Sequence, residues 1–599
     1  MTDDVSPNEL LRNFFPVLFF IPINFFIIAD GMGSGIQWLF GRYQTTFVGD
    51  SIIPLASGIR YVINGTLTGR SAWYEVSPLL SLAILFAAFM YAMANRTKTA
   101  GILTIIAGLV TVSTQVLYYG ITFHSPAGSC IPFGSLIIPV YGILLILSVP
   151  DHDGENLLRN YDWLFLLLGV FLIYCNWASP VPMNDNIGTE ALPFSILQNH
   201  TMYLDETYQT NADDRNMGYR FVEVGNGHRA SLFPVVIPVL ITPLYAIPYL
   251  LGVPDSDLLH LVLSHISSSL ITALSVVFIY LACRYLTGRK TALLSALIFA
   301  FATSTWSSSS QFLYAHGMSG LLLAAMLLLV IRNEASASSW NYILLGICSG
   351  LYVFNRPSDS LLVLPVIGYV LWCHREKTVI YGISAFLGSL PFLVYNIIMF
   401  GTLFGGYSKV ALRMAFDIPP LLLNFLGLLI APNRGLFVFT PVLVLSLIGF
   451  WLIRKEDKPF SRFLLGAVPA MVVTILVYAS FDDWQGGETF GPRYLTCILP
   501  YMVIALCIFL DHLRKNPQTL VMAVVVMLIA VSVFIQVIGV IFYQPSTNPQ
   551  EYFPNQFCSY DPWDYTDLVI VNSLYHKSAR PVIRNDNGEW LRKIIEKGG

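Results

Sequence analysis

Apolar residues run along this chain in long stretches parted by short polar loops, a pattern that predicts helices crossing a membrane, each needing about 20 apolar residues. The candidate spans are 11–29, 77–94, 99–118, 133–150, 160–178, 258–283, 291–307, 314–331, 340–354, 359–373, 379–400, 436–453, 463–480, 494–511 and 518–543, about fifteen crossings in an all-α polytopic bundle. The first follows Asp3, Asp4 and Glu9, lacks a basic leader region and has no small-residue cleavage site, so it reads as a retained helix. One polar insert, 179–232, is more than fifty residues long, whereas most other hydrophilic segments are short. A loop of that length is functional or disordered. Its apolar positions Ile187, Leu192, Phe194, Ile196 and Leu197 favour order. Residues 191–197 are expected to form a short surface helix, part of a cap on the membrane body.

Two apolar runs do not fit as crossings. The first, 233–251, is long enough, but Pro234, Pro238, Pro243 and Pro248 interrupt it, and an interior proline costs a helix about 3 kcal/mol. It is expected to be a broken element in the interface. The second, 421–430, is too short and is bounded by Pro419, Pro420 and Pro432.

Basic residues collect in cytoplasmic loops. Arg96/Lys98, Arg284/Arg289/Lys290, Arg375/Lys377, Arg454/Lys455/Lys458/Arg462 and Arg514/Lys515 all fall on one side if the spans are taken as given. That predicts a cytoplasmic N-terminus, with the long insert and the tail from 544 on the outer face of a plasma membrane. The chain then divides into a four-helix accessory module at 1–155, a membrane domain at 156–543 with an outer loop and interfacial helices at 178–257, and a small outer extension at 544–599.

Composition supports the membrane reading. The 599 residues are 55% hydrophobic and only 12% charged, against about 25% charged in soluble domains. A net charge of -3 offers no basic surface for nucleic acid, and no Walker, Rossmann or zinc-ligand spacing occurs. The eight cysteines are scattered without a CxxC and read as small apolar helix residues.

Chemistry-bearing residues sit beside the spans. In Pro182-Met-Asn-Asp-Asn-Ile-Gly-Thr-Glu190, Asp185 lies at a lipid–water boundary, where desolvation lifts a carboxylate toward a useful general base. The same position suits a cap for the helix that follows. Asp205 and Glu206 read as a solvated turn. In Phe481-Asp-Asp-Trp-Gln-Gly-Gly-Glu-Thr-Phe-Gly-Pro-Arg-Tyr494, Arg493 offers a planar fork suited to phosphate oxygens. Its alternatives are a headgroup anchor or an ion pair with Asp482, Asp483 or Glu488. His316, Arg356 and Arg434 also fall at span ends, where single polar groups commonly snorkel. Together with Lys409, Arg413 and Arg493 they form an outer cationic patch that an anionic ligand would explain.

In this order the segments resemble the GT-C superfamily of membrane glycosyltransferases that use polyprenyl-phosphate sugars, the group of the protein O-mannosyltransferases and the aminoarabinose transferase. The resemblance covers about 160–511 and rests on Asn184-Asp-Asn with Leu192-Pro-Phe-Ser-Ile-Leu197, Ser231-Leu-Phe-Pro, Ala315-His-Gly, Asn355-Arg-Pro-Ser-Asp, 391–407, Ala431-Pro-Asn-Arg-Gly-Leu-Phe-Val-Phe-Thr-Pro441 and 484–494. It departs from many relatives in having Asn on both sides of the acid and Ser231-Leu-Phe-Pro where they carry Lys-Tyr-Pro-Pro.

The resemblance implies a GT-C-type bundle in which Asp185 activates the acceptor. Arg493, Arg434 and Arg356 would bind the donor phosphate, and Glu190, His228, His316, Tyr407, Trp484 and Tyr494 the substrates. The implied reaction moves a sugar from dolichyl or undecaprenyl phosphate to a glycan, lipid or protein acceptor, with inversion. No cofactor is required, and a divalent metal is allowed but not indicated. The rival reading is a lipid-linked sugar flippase without catalysis, which should carry mid-span charges and internal repeats. The charges here lie at span ends.

Overall fold

The computed structural model describes residues 162–175, 186–205, 221–253, 257–408, 414, 416–487, 489–541, 543, 562–563, 565 and 568–574. The first four expected spans, and Asp185, Glu206, Lys409, Arg413 and Glu488, lie outside the described residues. The chain divides into two units, Met1–Ala178 and Ser179–Gly599. In the first, α1 (Asp162–Cys175) is an almost wholly apolar helix.

The second unit opens with α2 (Ile187–Gln198), whose residues from Ile187 to Ser195 are all buried. The expectation of a surface helix with one apolar face is therefore overturned. The segment is apolar almost all round, and such a helix is stable only when covered all round. An antiparallel hairpin follows, β1 (Phe221–Val224) with β2 (His228–Ser231), in the register Phe221↔Ser231 and Val224↔His228. This hairpin is a departure from an all-α chain.

The proline-rich run folds as one helix, α3 (Val236–Leu250), and is not broken. Pro238 falls in the first turn, where a missing N–H leaves no intrahelical bond unmade. Pro243 and Pro248 lie inside, held because Ile237, Ile241 and Tyr245 bury one face. α2, the hairpin and α3 share a core of Ile187, Leu192, Leu204, Phe221, Val236 and Phe392.

The helix bundle comprises α4 (Asp257–Leu286), α5 (Arg289–Phe301), α6 (Ala315–Ala335), α7 (Ser339–Asn355), α8 (Leu364–Cys373) and α9 (Thr378–Phe400). It continues through α10 (Ile418–Ile430), α11 (Leu436–Phe439), α12 (Val444–Ile453), α13 (Pro459–Ala479), α14 (Leu499–Lys515) and α15 (Thr519–Ile541), and a short α16 (Val569–Leu574) lies beyond. Six helical stretches among the described residues are long and apolar enough to cross a membrane, and four more are apolar but shorter. This is a polytopic helical membrane protein.

Two packing devices position the site. α7 and α9 meet so closely that a Cβ on Gly346 would strike the Tyr381 carbonyl, and one on Gly350 the Ala385 carbonyl. Such small-residue seams let membrane helices associate without a hydrophobic driving force. The span expected over 291–307 stops at Phe301, because Thr305–Ser309 forms a single π-helical turn. Carbonyls there are met by hydroxyls of α4: Ser268 Oγ donates to Ser310 O at 2.9 Å and Thr272 Oγ1 to Ser309 O at 3.0 Å. Buried backbone acceptors are thereby satisfied. The chain is set to enter α6.

Candidate active site

Alternation of the helices brings the motif ends together. α9 runs from the Arg375–Lys377 turn toward Tyr407, α13 runs from Lys458 toward Tyr478, and α14 leaves Tyr494 toward Arg514. The basic turns and the motif residues thus occupy opposite ends of these helices.

Asn355 fixes the frame at the motif end. Its Nδ2 donates to Ala315 O at 2.8 Å and Ser319 Oγ at 3.1 Å, tying the end of α7 to the start of α6. The next residue, buried Arg356, donates from Nη1 to the His316 imidazole and from Nε to Tyr407 Oη at 3.4 Å. Its guanidinium carbon stands 5.0 Å from the Tyr478 ring and 5.2 Å from the Tyr494 ring. Those two rings stack at 4.9 Å and 18°. Asp359, fully buried, accepts from Tyr478 Oη, and Ser358 Oγ lies 3.0 Å from the same oxygen.

Arg493 reaches the same aromatic group. Its guanidinium carbon lies 4.8 Å from the Tyr314 ring and 5.4 Å from Tyr494. Tyr494 is therefore shared by both arginines. His316 completes the cluster, 5.6 Å from Tyr494. α6 begins at Ala315 without a side-chain cap, so the positive end of its dipole points into this group.

Arg434 has different partners. It is buried and donates to Thr489 O and, at 2.8 Å, to Gly487 O. Those carbonyls belong to a turn that only glycine adopts readily, with φ of +80° at Gly486 and +65° at Gly487. The turn covers Arg493, whose Cγ would lie 3.4 Å from a Cβ on Gly486. Trp484 is buried against Gly427 of α10.

Glu190 and His228 make their contacts elsewhere. Glu190 accepts from Ser264 Oγ at 2.7 Å within α2 and α4. Burial pushes its carboxyl up to about 7, against the lowering effect of Ser264. His228 Nδ1 lies 2.6 Å from Asp205 Oδ2 and its ring stacks on Tyr203 at 4.2 Å. Burial acts against Asp205, yet the Arg229 N–H at 2.7 Å and His228 hold its carboxyl below its usual range. Asp205 lies in a partly exposed turn, as expected, and also anchors the hairpin.

A small depression, with free space of only about 10 Å³, adjoins the cationic cluster. Phe233, Pro234, Phe354, Phe392, Phe400 and Phe404 line it, together with Pro357 and Gly406, the chain neighbours of Arg356 and Tyr407. Sequence reasoning assigned no role to Tyr314, Tyr478 or Asp359. Asp359 stood three residues from Arg356 in a quoted motif, which was its signal. Tyr478 lay inside an expected span and gave none.

Residues 262–400 match the family model described as dolichyl-phosphate-mannose-protein mannosyltransferase. The match takes in His316 and Arg356 and stops before Tyr407, Arg434 and Arg493. A comparison with curated proteins finds no match. Over residues 262–400 the chain is similar to a dolichyl-phosphate-mannose-protein mannosyltransferase domain, a family that belongs to the GT-C superfamily of glycosyltransferases.

Proposed function

We propose that the protein transfers a monosaccharide from a polyprenyl phosphate, dolichyl or undecaprenyl, to a glycan, lipid or protein acceptor on the outer membrane face, inverting the anomeric carbon. The observation that carries this reading is the convergence of Arg356 and Arg493 on Tyr494, beside an aromatic-lined depression. A carrier of this kind has an anionic head, and the two buried guanidiniums match it.

The donor phosphodiester carries one negative charge. The acceptor hydroxyl oxygen forms a bond to the anomeric carbon as the bond to the phosphate oxygen breaks. The departing electron pair leaves on phosphate, which then carries a second charge. Arg356, Arg493 and the uncapped start of α6 stabilise that charge where it develops. Cation–π contacts hold both guanidiniums in place before substrate arrives. The acceptor proton passes to Asp185. Glu190, five residues on, is the second carboxyl of this segment, buried against Ser264 and apart from the arginine cluster. Arg434 acts through the loop it holds, and Tyr407 orients Arg356.

The test is transfer by purified protein in liposomes supplied with dolichyl phosphate mannose or an undecaprenyl phosphate sugar and a mixed glycan and peptide acceptor pool. Wild type should consume donor, and Arg356→Ala and Arg493→Ala should lose turnover at limiting donor. Full turnover by both variants would sink the reading. For the outer face, cysteines introduced near Asp213 should react with an impermeant thiol reagent and those near Lys455 should not. The reverse pattern would put the site on the cytoplasmic side.

A further inference from the structure

The tail beyond α15 touches the loop that covers Arg493, although it lies well outside the matched segment. Asn433, fully buried in the turn between α10 and α11, is held from two sides by that tail. Its N–H donates to Pro562 O at 3.2 Å, and its Oδ1 accepts from the Val569 N–H at 2.8 Å. The next residue is Arg434, whose guanidinium holds the Thr489 and Gly487 carbonyls. Val569 also reaches the far end of the same loop, since its side chain is buried in a cluster with Phe439, Phe490, Ile535 and Ile538. Phe490 meets Phe439 edge-on at 5.0 Å, which fixes the chain three residues before Arg493. One tail residue therefore braces both Asn433 and Phe490.

We infer that the segment around Pro562 and Val569 is a positioning strap for the donor phosphate site, acting through Asn433, Arg434 and the Gly487–Thr489 carbonyls on Arg493. This rests on the proposed role of Arg493. Asn433 and Val569 touch no substrate. Their effect is to hold a guanidinium at a fixed point above Tyr314 and Tyr494, where a small displacement weakens a charge-assisted contact.

The test is binding of dolichyl phosphate, with dolichol as the uncharged control, to the full-length protein in nanodiscs. Asn433→Ala deletes the acceptor of the Val569 N–H. Val569→Pro deletes the donor at the first helical residue of α16, a position that suits proline. Each should weaken dolichyl phosphate roughly two- to tenfold, the range expected for one hydrogen bond, and leave dolichol unchanged. The double variant should be no weaker than Val569→Pro alone, because both changes remove the Asn433–Val569 hydrogen bond and only Val569→Pro also alters the packing against Phe490. Additive losses, or equal losses for dolichol, would overturn the strap. If Arg493→Ala weakens dolichyl phosphate while Asn433→Ala does not, the strap falls and the donor site stands. If Arg493→Ala has no effect either, the donor site itself falls.

Discussion

The guanidinium of Arg493 lies over the ring of Tyr314, 4.8 Å from its centroid. A planar cation on an aromatic face stays weakly hydrated and keeps its outward N–H groups aimed. Arg493→Ala should therefore raise the donor KM roughly ten- to a hundredfold, the worth of a charge-assisted bond. Arg493→Lys should recover only part of this, because an ammonium lacks the fork. Initial rates against donor at saturating acceptor measure both, and equal KM values for Lys and Arg would reduce Arg493 to a point charge.

Arg434 makes the opposite prediction. Removing it leaves the Gly487 and Thr489 carbonyls without their guanidinium donor in a buried turn, each bond to a charged donor being worth about 1.5–3 kcal/mol. Arg434→Ala should lower the melting temperature in detergent well below that of Arg493→Ala and expose the 486–491 turn to protease. Wild-type melting together with lost donor binding would mean that Arg434 meets the phosphate itself.

The difference between these arginines was not legible in the sequence. Both stand beside proline and glycine at span ends, and what separates them is partners more than fifty residues away for Arg434 and aromatic rings for Arg493. The motif Asn355-Arg-Pro-Ser-Asp could be read because its neighbours in sequence are also neighbours in the site. α2 was misjudged for a related reason: its polar flanks imply a surface, and only the long-range covering by α3 and α4 buries it. In α3 the count of prolines outweighed their placement, one preceding the helix, one falling in its first turn and only Pro243 and Pro248 lying inside it. The Thr305–Ser309 turn escaped because hydroxyls on another helix satisfy it.

Asp185 is the sharpest chemical bet. Asp185→Asn keeps size, and the N-cap position of α2 is Asn186, so the change removes only charge and basicity. Transfer should fall about 10²- to 10⁴-fold while dolichyl phosphate binding persists. Asp205→Asn, at the hairpin anchor, should cost stability more than transfer. Turnover of Asp185→Asn within a few-fold of wild type would shift the role of base to Glu190.

Glu190 titrates across the neutral range. Its folded value of about 7 stands above the ordinary 4.5, so the folded state binds this proton more tightly than the unfolded chain. The stability it contributes is full below about pH 4.5 and is lost as pH rises through about 7, a change on the order of 3 kcal/mol. Glu190→Gln can still accept from Ser264 and has no proton to lose. Its melting temperature should exceed that of wild type at pH 8 and converge with it at pH 4.5. Parallel curves for the two proteins would show that Glu190 is not buried as a carboxylic acid.

The wall of the apolar depression has a kinetic meaning. Phe392, Tyr395, Asn396 and Phe400 all belong to α9, whose faces away from α7 are open along Val379, Ile383, Phe386, Val394 and Ile398. In a bilayer those residues meet acyl chains, so the lipid phase reaches α9, the helix that also supplies Phe392 and Phe400. A carrier lipid reaching it need never leave the membrane. Its effective concentration is then a mole fraction among lipids, set by lateral diffusion in two dimensions, and the apparent KM should fall when the same amount of donor is confined to fewer lipids.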